Sequence, residues 1–170
     1  MLLDVAKALH APGTEFPFAC SEQMPPATWD GAEIDFVTPL QVSGIFMAVG
    51  EDVWVRADVY ARMHLACAAC LADAYHDGSA HMDAHFSREP DPEDPDLFAF
   101  EGHTLPLDAA ALGALWLEMP MRVLCAPDCK GLCPHCGINR NLSTCTCQKE
   151  VPAKHPFSAL AALLNQDEEV

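Results

Sequence analysis

Positive charge is scarce in this sequence: nine Lys and Arg stand against 25 Asp and Glu, a formal net charge of −16 over 170 residues. A surface that acidic repels phosphate backbones over most of its area, which excludes nucleic-acid binding through a broad basic face. Long hydrophobic runs are also missing. The longest apolar stretches are of the kind ALGALWL at 111–117, whereas a membrane helix needs about 20 such residues. The first residues, MLLDVAKALHAPG, carry an acid at Asp4 and no apolar run of export-signal length, so a cytoplasmic location and no membrane partner are expected. There is no phosphate-binding glycine loop, dinucleotide fingerprint, nucleophile elbow or HExxH pair, and no catalytic site is visible. The chain is therefore expected to be non-enzymatic, without a small-molecule substrate.

What is present begins with enough apolar residues for a core, 51% of the chain. The stretch 33–48 is rich in β-branched and aromatic residues, and Gly50-Glu51-Asp52 reads as a turn into a second strand. There Val53, Val55, Ala57, Val59, Ala61, Met63 and Leu65 alternate with Trp54, Arg56, Asp58, Tyr60, Arg62 and His64. That period of two predicts a half-buried strand delivering Cys67 at its end. Asp77-Gly78 reads as a turn into a shorter alternating run with Ala80, Met82, Ala84 and Phe86 on one face. An acidic, proline-rich loop follows at 88–96, REPDPEDPD. Asp108 is placed to cap a helix with Leu112, Leu115, Trp116 and Met119 on its apolar face, stopped by Pro120. A last short helix is expected over PFSALAALL, from Pro156. The fold class is α+β: an antiparallel β-rich body with a central helix over 1–121, then a Cys-rich segment and closing helix over 122–170, integrated with the body.

Of nine cysteines, eight fall into close pairs: Cys67 and Cys70, Cys125 and Cys129, Cys133 and Cys136, Cys145 and Cys147. In a reducing compartment such pairs bind metal more often than they form disulfides. One to three intervening residues let both sulfurs of a turn face one ion. In Cys133-Pro134-His135-Cys136-Gly137 the proline stiffens the loop and the glycine permits the backbone dihedrals that follow it. Eight thiols are two sets of four, so two closed tetrahedral Zn2+ sites are expected, structural because four sulfurs leave no position for water. Two groupings into two sites are open, beside a single ion with spare thiols and unligated buried cysteines. One joins Cys67, Cys70, Cys125 and Cys129, and separately Cys133, Cys136, Cys145 and Cys147. The other joins Cys125, Cys129, Cys133 and Cys136 locally and leaves the remaining four to meet.

Smaller features carry weaker signals. His81, Asp83 and His85 share one strand face and could hold a metal, although a solvated polar face is the commoner outcome. His135 could replace a cysteine as ligand, and Cys20 reads as a buried apolar residue. Residues 122–155 hold five bases and two acids, so Lys130, Arg140 and Lys149 are the candidates to face RNA. Bases that merely offset anionic metal–thiolate centres are the competing reading.

Cys67-Ala-Ala-Cys70-Leu71, followed by CAPDCKGLCPHCGINRNLSTCTC with Pro120 before it and HPFSALAALL behind, resembles the YceD family, the large ribosomal RNA subunit accumulation proteins. The resemblance runs over roughly 40–165 and is most specific at Asp128 to Pro134 and at Cys136-Gly137-x-Asn139-x-Asn141. Two positions depart from it: Ala69 stands where the family has arginine in CxRCL, and Lys154-His155-Pro156 where it often has Asp-Pro-Arg. Some relatives lack part of the second cysteine set, which favours grouping Cys67 and Cys70 with the Cys125 region. The resemblance implies a ribosome-biogenesis role in processing or accumulating large-subunit ribosomal RNA. The implied partners are precursor ribosomal RNA or assembly and processing proteins. A zinc-stabilised RNA- or protein-binding module without a ribosomal role is the alternative.

Overall fold

A computed structural model describes residues 1–89, 93–94 and 96–147. The chain divides into two compact units, Met1–Gly131 and Leu132–Val170. Residues 122–131, grouped by the sequence pattern with the later cysteines, belong to the first unit. The expected closing helix from Pro156 lies outside the described residues.

The first unit is built on a seven-stranded sheet. Its centre is a hairpin of two 15-residue strands, numbered in chain order as β6 (Asp52–Ala66) and β7 (Asp73–Ser87), paired antiparallel from Val53↔Phe86 to Ala66↔Asp73. On the other side of β6 lie β5 (Leu40–Val49) and then β2 (Glu15–Glu22), with β4 (Ala32–Phe36) and β3 (Ala27–Trp29) beyond its far end. All these pairs are antiparallel; β8 (Leu97–Ala99) joins β7 in parallel over three residues. β1 (Leu2–Asp4) and β9 (Thr104–Pro106) form a separate two-stranded sheet, and the helices are α1 (Ala6–His10) and α2 (Asp108–Leu117).

The period-two pattern of β6 is met residue by residue. Val53, Val55, Val59, Ala61 and Met63 are at most 1% exposed, and their partners on the other face meet solvent. Burying a side chain of valine or methionine size stabilises by about 1.5–3 kcal/mol, so a shift of one residue in register would sacrifice the whole set. The outward face carries cross-strand pairs instead. Trp54 stacks on His85 with ring centroids 4.2 Å apart, and Arg56 reaches Glu15 of β2 at 3.2 Å.

Two expectations are corrected. Asp77-Gly78 is not a turn: β7 runs straight through it. Glycine is needed there because a Cβ would come within 2.6 Å of Met63 and 2.9 Å of Leu115, so the missing side chain is the space in which α2 seats Leu115 on the sheet. Asp108 opens α2 without capping it; its carboxylate accepts from the Met1 amino group at 2.8 and 2.9 Å. β2 carries Pro17 within its strand because, among the described residues, it pairs with β5 alone, and a proline N is tolerated on an edge.

Candidate metal centres

The hairpin connection between β6 and β7 is Cys67 to Ala72, a closed turn. The Cys67 N–H donates to the Ala72 carbonyl at 2.8 Å and the Leu71 N–H donates back to the Cys67 carbonyl at 3.0 Å. Leu71 takes a left-handed φ of 60° to complete it. Nothing in the sequence signals this conformation at a leucine. The turn directs Cys67 and Cys70 toward the segment after α2, which the Ala68 N–H fixes by donating to the Val123 carbonyl at 2.9 Å. A second tight fit follows at Gly131, where φ is +69° and a Cβ would lie 2.9 Å from the Ala69 carbonyl oxygen.

These contacts gather Cys67, Cys70, Cys125 and Cys129 so that all four Sγ atoms lie within 4.8 Å of one another. Cys67 and Cys129 are 3.8 Å apart, and Cys70 and Cys125 3.5 Å. A tetrahedron with 2.3 Å zinc–sulfur bonds has edges of roughly 3.8 Å, so the donor set fits a tetrathiolate ion. Cys67 and Cys70 are buried, at 0% and 4% exposure. Burial pushes the Cys67 thiol up, but N–H groups aimed at its sulfur, led by that of Ala69, outweigh this and hold it at about 6. Cys125 is pushed up to about 12, first by the Cys70 thiol and then by that of Cys129. Crowding explains the split: one thiolate is well solvated by the backbone, and each further one meets negative charge unless a cation is present.

The second unit repeats the turn. The Cys133 N–H donates to the Ile138 carbonyl at 2.8 Å, the Gly137 N–H donates to the Cys133 carbonyl at 2.9 Å, and Gly137 has φ 72°. Gly137 occupies here the place that Leu71 occupies in the first turn. Leu132 bridges to Asn139, whose carbonyl accepts from Leu142 and Ser143 and whose side-chain oxygen accepts from the Asn141 N–H at 2.9 Å. That local net brings Cys133, Cys136, Cys145 and Cys147 within 4.8 Å, with Cys133 and Cys145 at 3.4 Å. The N–H groups of Cys136 and His135 hold Cys133 at about 6, while the neighbouring Cys136 thiol pushes Cys147 up to about 12.

The remaining candidates separate from these clusters. His135 is exposed and outside the four-cysteine set. His81 and His85 each face an aspartate of β6, Asp58 at 3.1 Å and Asp52 at 3.2 Å, and do not form a three-ligand group with Asp83. Cys20 is half-buried, its thiol 3.7 Å from the Val42 carbonyl. Lys130 is exposed in the first unit and Arg140 in the second; Lys149 lies outside the described residues.

The family model described as Large ribosomal RNA subunit accumulation protein YceD matches residues 55–164, a span holding all eight clustered cysteines. The chain belongs to the YceD family. Three uncharacterized proteins, one from Mycobacterium bovis and two from strains of Mycobacterium tuberculosis, are each 28% identical over 148 residues, 81% of this chain and 70% of theirs. No solved structure matches significantly. Within the YceD span, the Asn139 and Asn141 positions of the motif serve the turn of the second cluster. Among the described residues, no helix is long and apolar enough to cross a membrane.

Proposed function

We propose that this chain is a non-enzymatic, cytoplasmic ribosome-biogenesis factor that promotes processing or accumulation of large-subunit ribosomal RNA, with zinc in both four-cysteine clusters. The observation that carries this reading is the YceD match over 55–164, which takes in both clusters. Bound zinc would supply folding energy rather than reaction chemistry, because a set of four thiolates leaves no open coordination position. Charge supports action through proteins. The first unit holds 21 acids and six bases, a balance suited to basic assembly partners and poorly suited to RNA. The test is the ratio of large- to small-subunit ribosomal RNA in cells depleted of the protein. A selective fall in the large-subunit RNA is expected; an unchanged ratio removes the ribosomal role.

A second reading, direct RNA contact, is favoured by the five bases against two acids in 122–155. It requires RNA binding that weakens steeply with salt and disappears when Lys130, Arg140 and Lys149 are neutralised.

A further inference from the structure

Among the described residues the sheet is open along β7. One edge of this strand is paired with β6 nearly end to end. Among the described residues, its other edge has a strand partner only at His85–Ser87, where β8 runs alongside. Among the described residues, from Asp73 to Ala84 the second row of main-chain N–H and C=O groups has no strand opposite, and a free edge of that length is a template for an added strand.

A groove of about 640 Å³ runs beside that edge, between residues 81–84 of β7 and one flank of α2. The helix flank is lined by Ala109, Ala110, Gly113 and Ala114, and a Cβ placed on Gly113 would meet nothing within 4 Å. Leu117, 87% exposed, adds an apolar wall. The rim is acidic. Asp83, Asp96 and Glu118 line the groove, all exposed, and among the described residues none of their carboxylates has an ion-pair or hydrogen-bond partner. Asp73 and Asp77, on the same outward face of β7 as Asp83, do have partners in His64 and Arg62.

We propose that this groove receives an extended, lysine- and arginine-rich segment of a partner protein, which adds a strand to the open edge of β7. A strand alternates its side chains between two faces. Basic residues on its outward face would reach Asp83, while on the face toward α2 small apolar residues would cover Gly113 and Ala114 and a basic one would reach Glu118. Cross-strand charge pairs then fix the register. A single-stranded RNA would bring phosphates to three unpaired carboxylates, and a second copy of this chain would bring an equally acidic edge; both are disfavoured. The inference rests on the proposed action through basic proteins and gives that action a location.

The test is fluorescence anisotropy of the full chain with a synthetic peptide of alternating lysine and valine. Saturable binding is expected, with a loss of about tenfold or more for Asp83→Lys, for Glu118→Lys and for Ala114→Trp, which fills the groove. The same charge change at Glu33→Lys, on β4 across β6 from the groove, should weaken binding by no more than about threefold. A peptide with proline for valine, lacking the N–H groups a strand needs, should not bind. Equal losses for Asp83→Lys and Glu33→Lys would reduce the effect to net charge and overturn the proposal. So would tight binding of a polyuridine strand lost in the same variants. A protein whose depletion lowers large-subunit RNA but which ignores the peptide would overturn the groove alone. An unchanged RNA ratio beside groove-specific peptide binding would overturn the ribosomal role alone.

Discussion

The two four-cysteine clusters use the same six-residue turn and sit in very different surroundings. The first hangs on the end of two long paired strands, with Cys67 and Cys70 sealed from solvent, and joins residues 55 and 62 positions apart in the chain. The second is closed within 133–147. Its only buried cysteine is Cys133, at 5% exposure, and its larger apolar residues Ile138 and Leu142 are 41% and 83% exposed. An extended hairpin and a hydrophobic core hold the first set together before any ion arrives. The second has a turn and an asparagine-centred net, and a unit so small cannot bury enough surface to fold alone. Identical ligands would therefore carry different duties: a bound ion would fasten a body that already has a core in one case, and would supply most of the folding energy in the other, where a structural zinc can contribute on the order of 10 kcal/mol.

The largest expected effect follows from stripping metal from the purified protein. The amide signals of 132–147 should collapse to unfolded positions while those of β5, β6 and β7 stay dispersed; dispersion kept in both units would erase the contrast. Next comes a pair of single substitutions. Cys67→Ser and Cys136→Ser should each lower metal content from two ions to one, but only the first should destabilise the sheet body, by on the order of 3 kcal/mol or more. Equal shifts in Tm would show that the second unit supports the body after all.

Smaller changes exploit the shared turn. Gly137→Leu puts a side chain where φ is 72° and should cost about 1–2 kcal/mol of second-cluster stability. Leu71→Gly relieves φ 60° in the first turn and should change stability by no more than about 1 kcal/mol. A metal-competition titration of each variant reads both.

The smallest effect is a pH slope tied to the strand ends beneath the first cluster. Hydrogen bonding to Asp73, and next to Asp35, raises the His64 pKa above its ordinary 6.5. Because the folded value is the higher one, this contribution is fully present below 6.5 and is lost as pH climbs through the raised value. Melting curves at low salt should show it, and Asp73→Asn should flatten it.

Much of the first unit was legible because alternation along 53–65 is a direct record of one buried face. The cysteine pairs were equally plain, since close thiol spacing has few other physical causes. Other features were hidden where a long-range contact overrode a local signal. Asp77-Gly78 looks like a turn until Leu115 and Met63 claim the space over the glycine. Leu71 gives no local hint of a left-handed backbone. Residues 122–131 fall in the first unit, where the Ala68 N–H donates to the Val123 carbonyl.

By itself the sequence determined the inventory: an acidic chain, a strand of period two, eight thiols in four pairs, and the motif that places it with the YceD proteins. Composition and spacing are local quantities, and each has its chemistry wherever the chain goes. Which pairs meet, and which strand edge is unpaired among the described residues, follows from packing between distant segments. The hairpin register brings Cys67 and Cys70 to one end of the sheet, and the return of the chain after α2 brings Cys125 and Cys129 to them. Contacts between residues so far apart are set by how buried faces pack, and no spacing along the chain encodes that directly.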